Sequence, residues 1–526
     1  MTLARLMIAF AGGELPPAAA NWIGEQGVAG VTLFRAHNVV DPAGIRHLTA
    51  AIQAARPPGA PPLLVAADQE GGQLVGLGDE TTQFAGAMAL GATGDVALAE
   101  RVAGATAREL RALGVNVNYA PVCDVANNPA NPALGIRSFG DDPEAVGALA
   151  AATVRGLQDG GVAATAKHFP GAGDTTADPH HELPRVPRTS AELAQRELVP
   201  FRAALAAGAR LVMTGHFTLP GHDPDLPTSL SGAVLRDLLR VQLQFQGVTV
   251  SDALDMRALA QGSAQIVDAI TALRAGEDVL LGTPDEAALE RLVEGLAQAQ
   301  RRGLFDAGDD AAARQRLDEL RHWLGTFEQP ALDVVGCGEH QALAAELARR
   351  SITLVRNDDR LLPLQLPAGA RIAVVQSMPV DLTPADTSSY VAPTLAAALR
   401  RRHPAVDEIL LPAVPGAADL AGLGERLATF DLVVLGTFSA HLQAAQAALA
   451  AAVLGSGRPT VTVALRTPWD LLAYPAAGTH VCSYGILPPS MEALAAALLG
   501  EAPFAGRLPV EIAGLYPRGH GLSVPG

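Results

Sequence analysis

Eight short aliphatic or β-branched runs, each followed by an alanine-rich helical stretch, fill the first roughly 285 residues and limit the folds open to this chain. The runs are Leu6–Phe10, Val31–Phe34, Leu63–Ala67, Val117–Tyr119, Val162–Ala166, Leu211–Thr214, Val248–Ser251 and Val279–Leu281. Strands separated by helices pair in parallel through crossovers, and eight such units predict a closed (β/α)8 barrel.

Charge-laced helical sequence from Glu286 to about Leu324 is expected to close the barrel, and Gly325–Cys337, which contains Pro330, reads as a linker. A second αβ pattern follows. Its expected strands are Ile352–Val355, Ile372–Val375, Leu432–Leu435, Val461–Leu465 and Leu508–Ile512, separated by helices such as Leu442–Ala452 and Met491–Leu499. This predicts a doubly wound or sandwich-like domain. A chain of 526 residues exceeds what one hydrophobic core usually supports. The expected division is a barrel over 1–325, a linker over 326–340 and the second domain over 341–526.

A formal net charge of -16 argues against nucleic acid or an anionic membrane surface as the partner and favours a small ligand. No apolar run is long enough to span a bilayer. The first ten residues fit a core strand better than a signal peptide, because the run ends in Gly12-Gly13-Glu14. Cys123, Cys337 and Cys482 are too scattered for a disulfide framework, so a reducing, cytoplasmic setting is expected.

Polar residues fall at the ends of the expected strands: Asp68 after the third, Asp124 after the fourth, Lys167 and His168 at the fifth, His216 after the sixth and Asp252 at the seventh. A barrel brings those ends to one mouth, where its chemistry sits. Lys167 is the only lysine among 38 basic residues. A lone lysine in an arginine-rich chain points to a need for a compact charge that a planar fork cannot supply.

Asp252 has two readings, a catalytic carboxylate or, with Ser251, the N-cap of a helix-compatible run; Asp255 falls within that run. Asp174–Pro184 has no hydrophobic periodicity and reads as a loop, either a solvated turn or a cover over the mouth. Within it Asp178 and His180 are close enough for the carboxylate to orient the imidazole, the arrangement of a general acid/base. His181 stands next to His180 and is a second candidate. His168, His180, His181 and Glu182 could be metal ligands, but Lys167 beside His168 would place a cation where the metal belongs, and no metal is expected. Gly71-Gly72 and Gly171-Ala172-Gly173 fit no phosphate-binding fingerprint and are read as turns or close-approach points; Gly171 and Gly173 would also permit loop motion.

The strings Gly30–Phe34, Asp68-Gln69-Glu70-Gly71-Gly72, Asn118–Asp124, Arg137-Ser138-Phe139-Gly140, Lys167-His168-Phe169-Pro170-Gly171, Val212–His216 and Ser251-Asp252 occur in one order along the chain. Together they resemble glycoside hydrolase family 3, and within it the bacterial β-N-acetylglucosaminidase branch. Ser351–Asn357, Leu361–Leu364 and Gly506–Val510 resemble the family's C-terminal αβα sandwich.

The resemblance implies a retaining, exo-acting enzyme that removes terminal β-linked N-acetylglucosamine from peptidoglycan fragments, as in cell-wall recycling, or from chitooligosaccharides, without a cofactor. By resemblance Asp252 is the nucleophile, Asp178 and His180 are the acid/base dyad, Asp68, Arg137, Lys167 and His168 hold sugar hydroxyls, and His216 lines the pocket. His181 ranks well below His180 on the register of this resemblance. Lys167 is also expected to favour the ionised form of Asp252. Two departures stand out. Gln73–Leu77 lacks the arginines that the branch carries after its Asp-Gln-Glu-Gly-Gly string, and Pro179 replaces the usual serine within the dyad. The alternatives are a phosphorylase or a broad β-glucosidase on the same scaffold, and a catalytically weak carbohydrate-binding paralogue.

Overall fold

The computed structural model describes residues 2–367 and 369–524. Its first sheet is a closed barrel of eight parallel strands: β1 (Leu6–Ile8), β2 (Gly30–Thr32), β3 (Leu64–Ala67), β4 (Val117–Asn118), β5 (Ala163–Phe169), β6 (Leu211–Thr214), β7 (Val248–Ala253) and β8 (Val279–Leu281). Each strand pairs with its neighbours in sequence, and β8 closes onto β1 through Leu6 opposite Leu280. All eight expected strands are present, with ends displaced by a few residues.

Alternation along each strand fills two cores. Leu64, Ala66, Val117, Leu211, Met213, Val248 and Val250 form one buried cluster, joined by Leu317, Leu320 and Leu324 of the helix Ala307–Leu324. The intervening Val65, Ala67, Ala164 and Val212 belong to the larger cluster shared with surrounding helices. The helical stretch expected over 286–324 is two helices, Glu286–Arg301 and Ala307–Leu324, each N-capped by an aspartate, Asp285 and Asp306.

The second sheet comprises β9 (Thr353–Asn357), β10 (Ile372–Ser377), β11 (Val406–Leu411), β12 (Leu432–Thr437), β13 (Thr460–Ala464) and β14 (Thr479–Cys482), in the order β9-β14-β13-β12-β10-β11. Only the β9–β14 pair is antiparallel. Helices cover both faces, giving an αβα sandwich: Ile372 and Val374 face one buried cluster, Ala373 and Val375 the other.

The second domain and the connector differ from expectation in several elements. Leu508–Ile512 is not a strand of the sheet, because Pro509 cannot donate to a ladder and Leu508 instead exchanges backbone hydrogen bonds with Gly519 and His520. The sheet is completed by β11 and β14, which the pattern did not mark. β11 carries exposed Asp407, and β14 has only four residues. The connecting segment is tied to the barrel: Arg111 donates to Phe327 O at 2.6 Å and Arg46 to Pro330 O at 2.9 Å, and the helix Gly338–Ser351 begins inside the stretch expected to be linker. Among the described residues no helix is long and apolar enough to cross a membrane.

Candidate active site

A cavity of about 480 Å³ opens at the C-terminal ends of the barrel strands. Asp68, Arg137, Lys167, His168, His180, His216 and Asp252 all line it, and Asp178 lies directly behind His180.

Asp68 follows β3, and Glu70 lies two residues further on in an extended chain, so both carboxylates reach the same side. Lys167 Nζ donates to Asp68 Oδ1 and to Glu70 Oε1, each at 2.6 Å. Arg137 forks onto Glu70, with Nε to Oε2 at 2.9 Å and Nη2 to Oε1 at 2.8 Å. Burial alone would raise the Glu70 pKa, but the charges and hydrogen bonds of Arg137 and Lys167 hold it at about 2. Burial likewise disfavours the Lys167 charge, and Asp68 and Glu70 outweigh it, raising the pKa above the usual lysine value. Lys167 is thus the centre of a buried ion cluster.

Asp124 organises the next segment. Its Oδ2 accepts from His168 Nδ1 at 2.7 Å, and its Oδ1 from the Ala172 backbone at 2.7 Å. With Nδ1 donating to a carboxylate, His168 turns Nε2 toward Arg137, 3.4 Å away.

His180 Nδ1 donates to Asp178 Oδ1 at 2.6 Å, and the His180 backbone N–H donates to the same oxygen at 2.9 Å. Burial would raise the Asp178 pKa; the bond from His180 lowers it below its ordinary value. No hydrogen bond joins His180 Nε2 to another described residue, and His180 lines the cavity. With proline at 179 the His180–Asp178 bond is formed, and the Pro179 carbonyl accepts from Ala258 N at 3.1 Å. The dyad loop therefore packs on the loop after β7. Gly173 lies against the segment after β4: a Cβ there would lie 1.9 Å from Val125 O. Gly72, at φ +62°, turns the chain where a Cβ would meet Ala85 O at 2.9 Å.

Asp252 is the penultimate residue of β7 and accepts from Ala253 N at 2.8 Å. No helix follows it, so the N-cap reading falls, and Asp255 lies in a turn. Gln261 Nε2 instead binds the carbonyls of Leu254, Met256 and Leu259 and folds this segment into a loop. Burial would push the Asp252 pKa up, but the surrounding imidazoles, His168 foremost, hold it below its ordinary value. Lys167, expected to do this, spends its charge on Asp68 and Glu70.

His216 has both ring nitrogens committed. Nε2 faces Ala253 O at 3.1 Å and Nδ1 faces Ser229 Oγ at 2.7 Å. The carbonyl can only accept, so Nε2 carries the proton and Ser229 donates to Nδ1. Burial lowers the His216 pKa and favours this neutral form. His216 holds the backbone beside Asp252.

Residues 7–307 match the family described as Glycosyl hydrolase family 3 N terminal domain. The chain belongs to glycosyl hydrolase family 3. Over 505 residues it is 33% identical to a β-N-acetylglucosaminidase/β-glucosidase of Cellulomonas fimi, covering 86% of this chain and 84% of that protein. It is 35% identical over 379 residues to β-hexosaminidase A of Pseudoalteromonas piscicida, covering 67% of this chain and 63% of that protein. Its structure superposes on a family 3 β-N-acetylglucosaminidase from Paenibacillus sp. str. FPU-7 with a TM-score of 0.90 and 33% identity, covering 97% and 98% of the two chains.

Six contributors to this family 3 site carry no assignment from the sequence. Glu70 stood inside a quoted motif, and its spacing of two from Asp68 on an extended segment was the available signal. Arg35 lines the cavity from the helix after β2, and Asp381, Asp386, Thr387 and Tyr390 line it from the second domain. No local pattern marks these last five residues.

Proposed function

We propose that this family 3 enzyme is a retaining exo-β-N-acetylglucosaminidase acting on chitooligosaccharides or peptidoglycan fragments. The observation that carries the reading is that Asp252, its carboxyl held below its ordinary pKa by nearby imidazoles, and an Asp178-backed His180 open on one cavity. Asp252 attacks the anomeric carbon through an oxocarbenium-like transition state while His180 delivers the proton on Nε2 to the leaving oxygen. The bond from Nδ1 to Asp178 fixes the tautomer and stabilises the imidazolium. After the aglycone leaves, neutral His180 takes a proton from water, which attacks the glycosyl-Asp252 ester and releases the sugar with net retention.

Asp68, Arg137, Lys167 and His168 bind the sugar hydroxyls. Asp68 accepts while anchored by Lys167, and Arg137 and His168 are oriented by Glu70 and Asp124. The similarity to β-hexosaminidases supports the N-acetyl preference, and the site chemistry supports the roles. No cofactor is needed for these steps. The expected setting remains cytoplasmic, with barrel, linker and second domain divided at about residues 325 and 340.

The test is hydrolysis of p-nitrophenyl β-N-acetylglucosaminide and the matching β-glucoside, with and without phosphate, by the parent chain, Asp252→Asn and His180→Ala. Preference for the N-acetyl substrate, free sugar as product, and a loss of at least about 10³-fold in Asp252→Asn are expected. Sugar 1-phosphate as product assigns a phosphorylase, and equal use of the glucoside a broad β-glucosidase. A folded parent that turns over neither substrate makes the chain a binding protein.

A further inference from the structure

The second domain supplies residues to the cavity wall, and hydrogen bonds tie them to the barrel and to one another. Thr387 donates through N and Oγ1 to Gln73 O at 2.8 and 3.1 Å and accepts from Val75 N at 3.0 Å. This joins the second domain to the segment that follows Asp68 and Glu70 and carries no arginine. Asp386 accepts from Leu382 N and Ser388 N at 3.0 and 2.9 Å and pairs with buried Arg466. Asp381 accepts from Ser389 N and Oγ at 2.7 and 2.6 Å. These bonds fix the short helix Ser388–Tyr390 at the rim.

Tyr390 is 47% exposed there, and Arg35 supports it: the guanidinium carbon lies 4.3 Å from the ring centroid. Arg35 has a side chain only 8% exposed and donates to Val75 O at 3.2 Å and to Asp79 Oδ1 at 2.8 Å. One arginine is thus held by the barrel against an aromatic ring of the second domain, with both residues on the cavity. A guanidinium so stacked stiffens the ring.

We infer that Tyr390, braced by Arg35, is the platform for the aglycone of this enzyme, and that the aglycone it takes is a neutral pyranose. The inference rests on the glycosidase reading above and narrows its two substrates to chitooligosaccharides, setting aside peptidoglycan fragments whose aglycone bears a carboxylate. A half-exposed phenol ring offers an apolar face to the C–H face of a sugar, while a polar rim directs its hydroxyls. The rim charge sets the class. The Arg35 charge is balanced by Asp79, while the carboxylate of Asp381, bonded to Ser389 beside Tyr390, also lines the cavity. An aglycone carrying its own carboxylate meets like charge there. A second N-acetylhexosamine does not.

The test compares kcat/KM on N,N′-diacetylchitobiose with that on methyl β-N-acetylglucosaminide, whose leaving group has no ring, for the parent, Tyr390→Ala, Tyr390→Phe and Arg35→Ala. The chitobiose-to-methyl ratio is expected to fall about tenfold in Tyr390→Ala, to fall less in Arg35→Ala, and to return in Tyr390→Phe. A ratio unchanged in Tyr390→Ala overturns the inference and leaves the glycosidase reading intact. So does a parent that prefers a disaccharide whose aglycone bears a lactyl carboxylate. No turnover of the methyl glycoside or chitobiose by the parent removes the glycosidase reading, and the platform with it.

Discussion

Lys167 shows how much a single residue can announce and how much it withholds. Its uniqueness marked the site, but its work is to hold two carboxylates together in a buried cluster rather than to tune Asp252. Lys167→Met leaves Asp68 and Glu70 facing one another with Arg137 as the only cation paired with them among the described residues, so a stability loss of about 3–5 kcal/mol is expected in urea unfolding, partly recovered by adding Asp68→Asn. The strand-end acids and histidines were legible because a barrel gathers strand ends whatever lies between them. Arg35 was not, because its significance comes from Tyr390 on a different domain. Glu277 was also silent in the sequence. It is fully buried with Oε1 bonded by Thr214 and Oε2 unpartnered among the described residues, and burial pushes its pKa up to about 8. A carboxyl raised in the folded state gives stability that is full below its unfolded value near 4.5 and lost as pH rises through about 8. Glu277→Gln cannot ionise, so its melting temperature should decline less than the parent's between about pH 5 and pH 8. Parallel declines would contradict the buried, neutral acid.

Between residues and domains stand the loops, where the sequence was least informative. Strand and helix periodicity located all eight barrel strands, yet the run after Asp252 was compatible with a helix and folds as a loop, because Gln261 and Gln265 side chains satisfy its carbonyls. The dyad loop depends on a similar device. Asn131 Nδ2 donates to Ala172 O, Gly173 O and Thr175 Oγ1 at 2.9, 3.1 and 3.1 Å, while its Oδ1 accepts from Ala133 N and Leu134 N. The second domain braces the same turn: His441 Nε2 lies 3.0 Å from Pro129 O, with Asp470 behind its other nitrogen. Asn131→Ala removes the clamp without touching the dyad. On the proposed mechanism kcat is expected to fall about tenfold or more through misplacement of His180, while binding of N-acetylglucosamine at the Asp68–Lys167 side changes little. Loss of that binding to the same extent would instead mean that Asn131 supports the whole site.

At the scale of the whole molecule, composition and the repeated αβ pattern foretold two units in order, but not how firmly they join. That depends on side chains far apart in sequence. Surface pairs bridge the seam, including Arg101–Glu346 at 2.9 Å and Arg108–Glu339 at 3.2 Å, but exposed pairs of this kind contribute little. The buried contact is of another order. Glu109, on the barrel helix Val96–Leu113, accepts from Thr82 N and Oγ1, from Gly336 N at 3.1 Å and from His340 Nδ1 at 2.7 Å, with both Glu109 and His340 almost fully enclosed. One carboxylate thus ties together the segment after the Asp68 motif, the connector and the first helix of the second domain. Glu109→Ala strands four donors without water, and each stranded donor costs about 1–3 kcal/mol. Arg101→Ala and Arg108→Ala should each cost less than about 1 kcal/mol. Unfolding of the three variants in urea at low and high salt separates the contributions. The Glu109 loss should be several-fold larger and nearly independent of salt, whereas the arginine losses should shrink as salt rises. Equal, salt-sensitive losses in all three would mean that the seam is held by its surface charges. The wall that carries Tyr390 would then be free to move relative to the barrel.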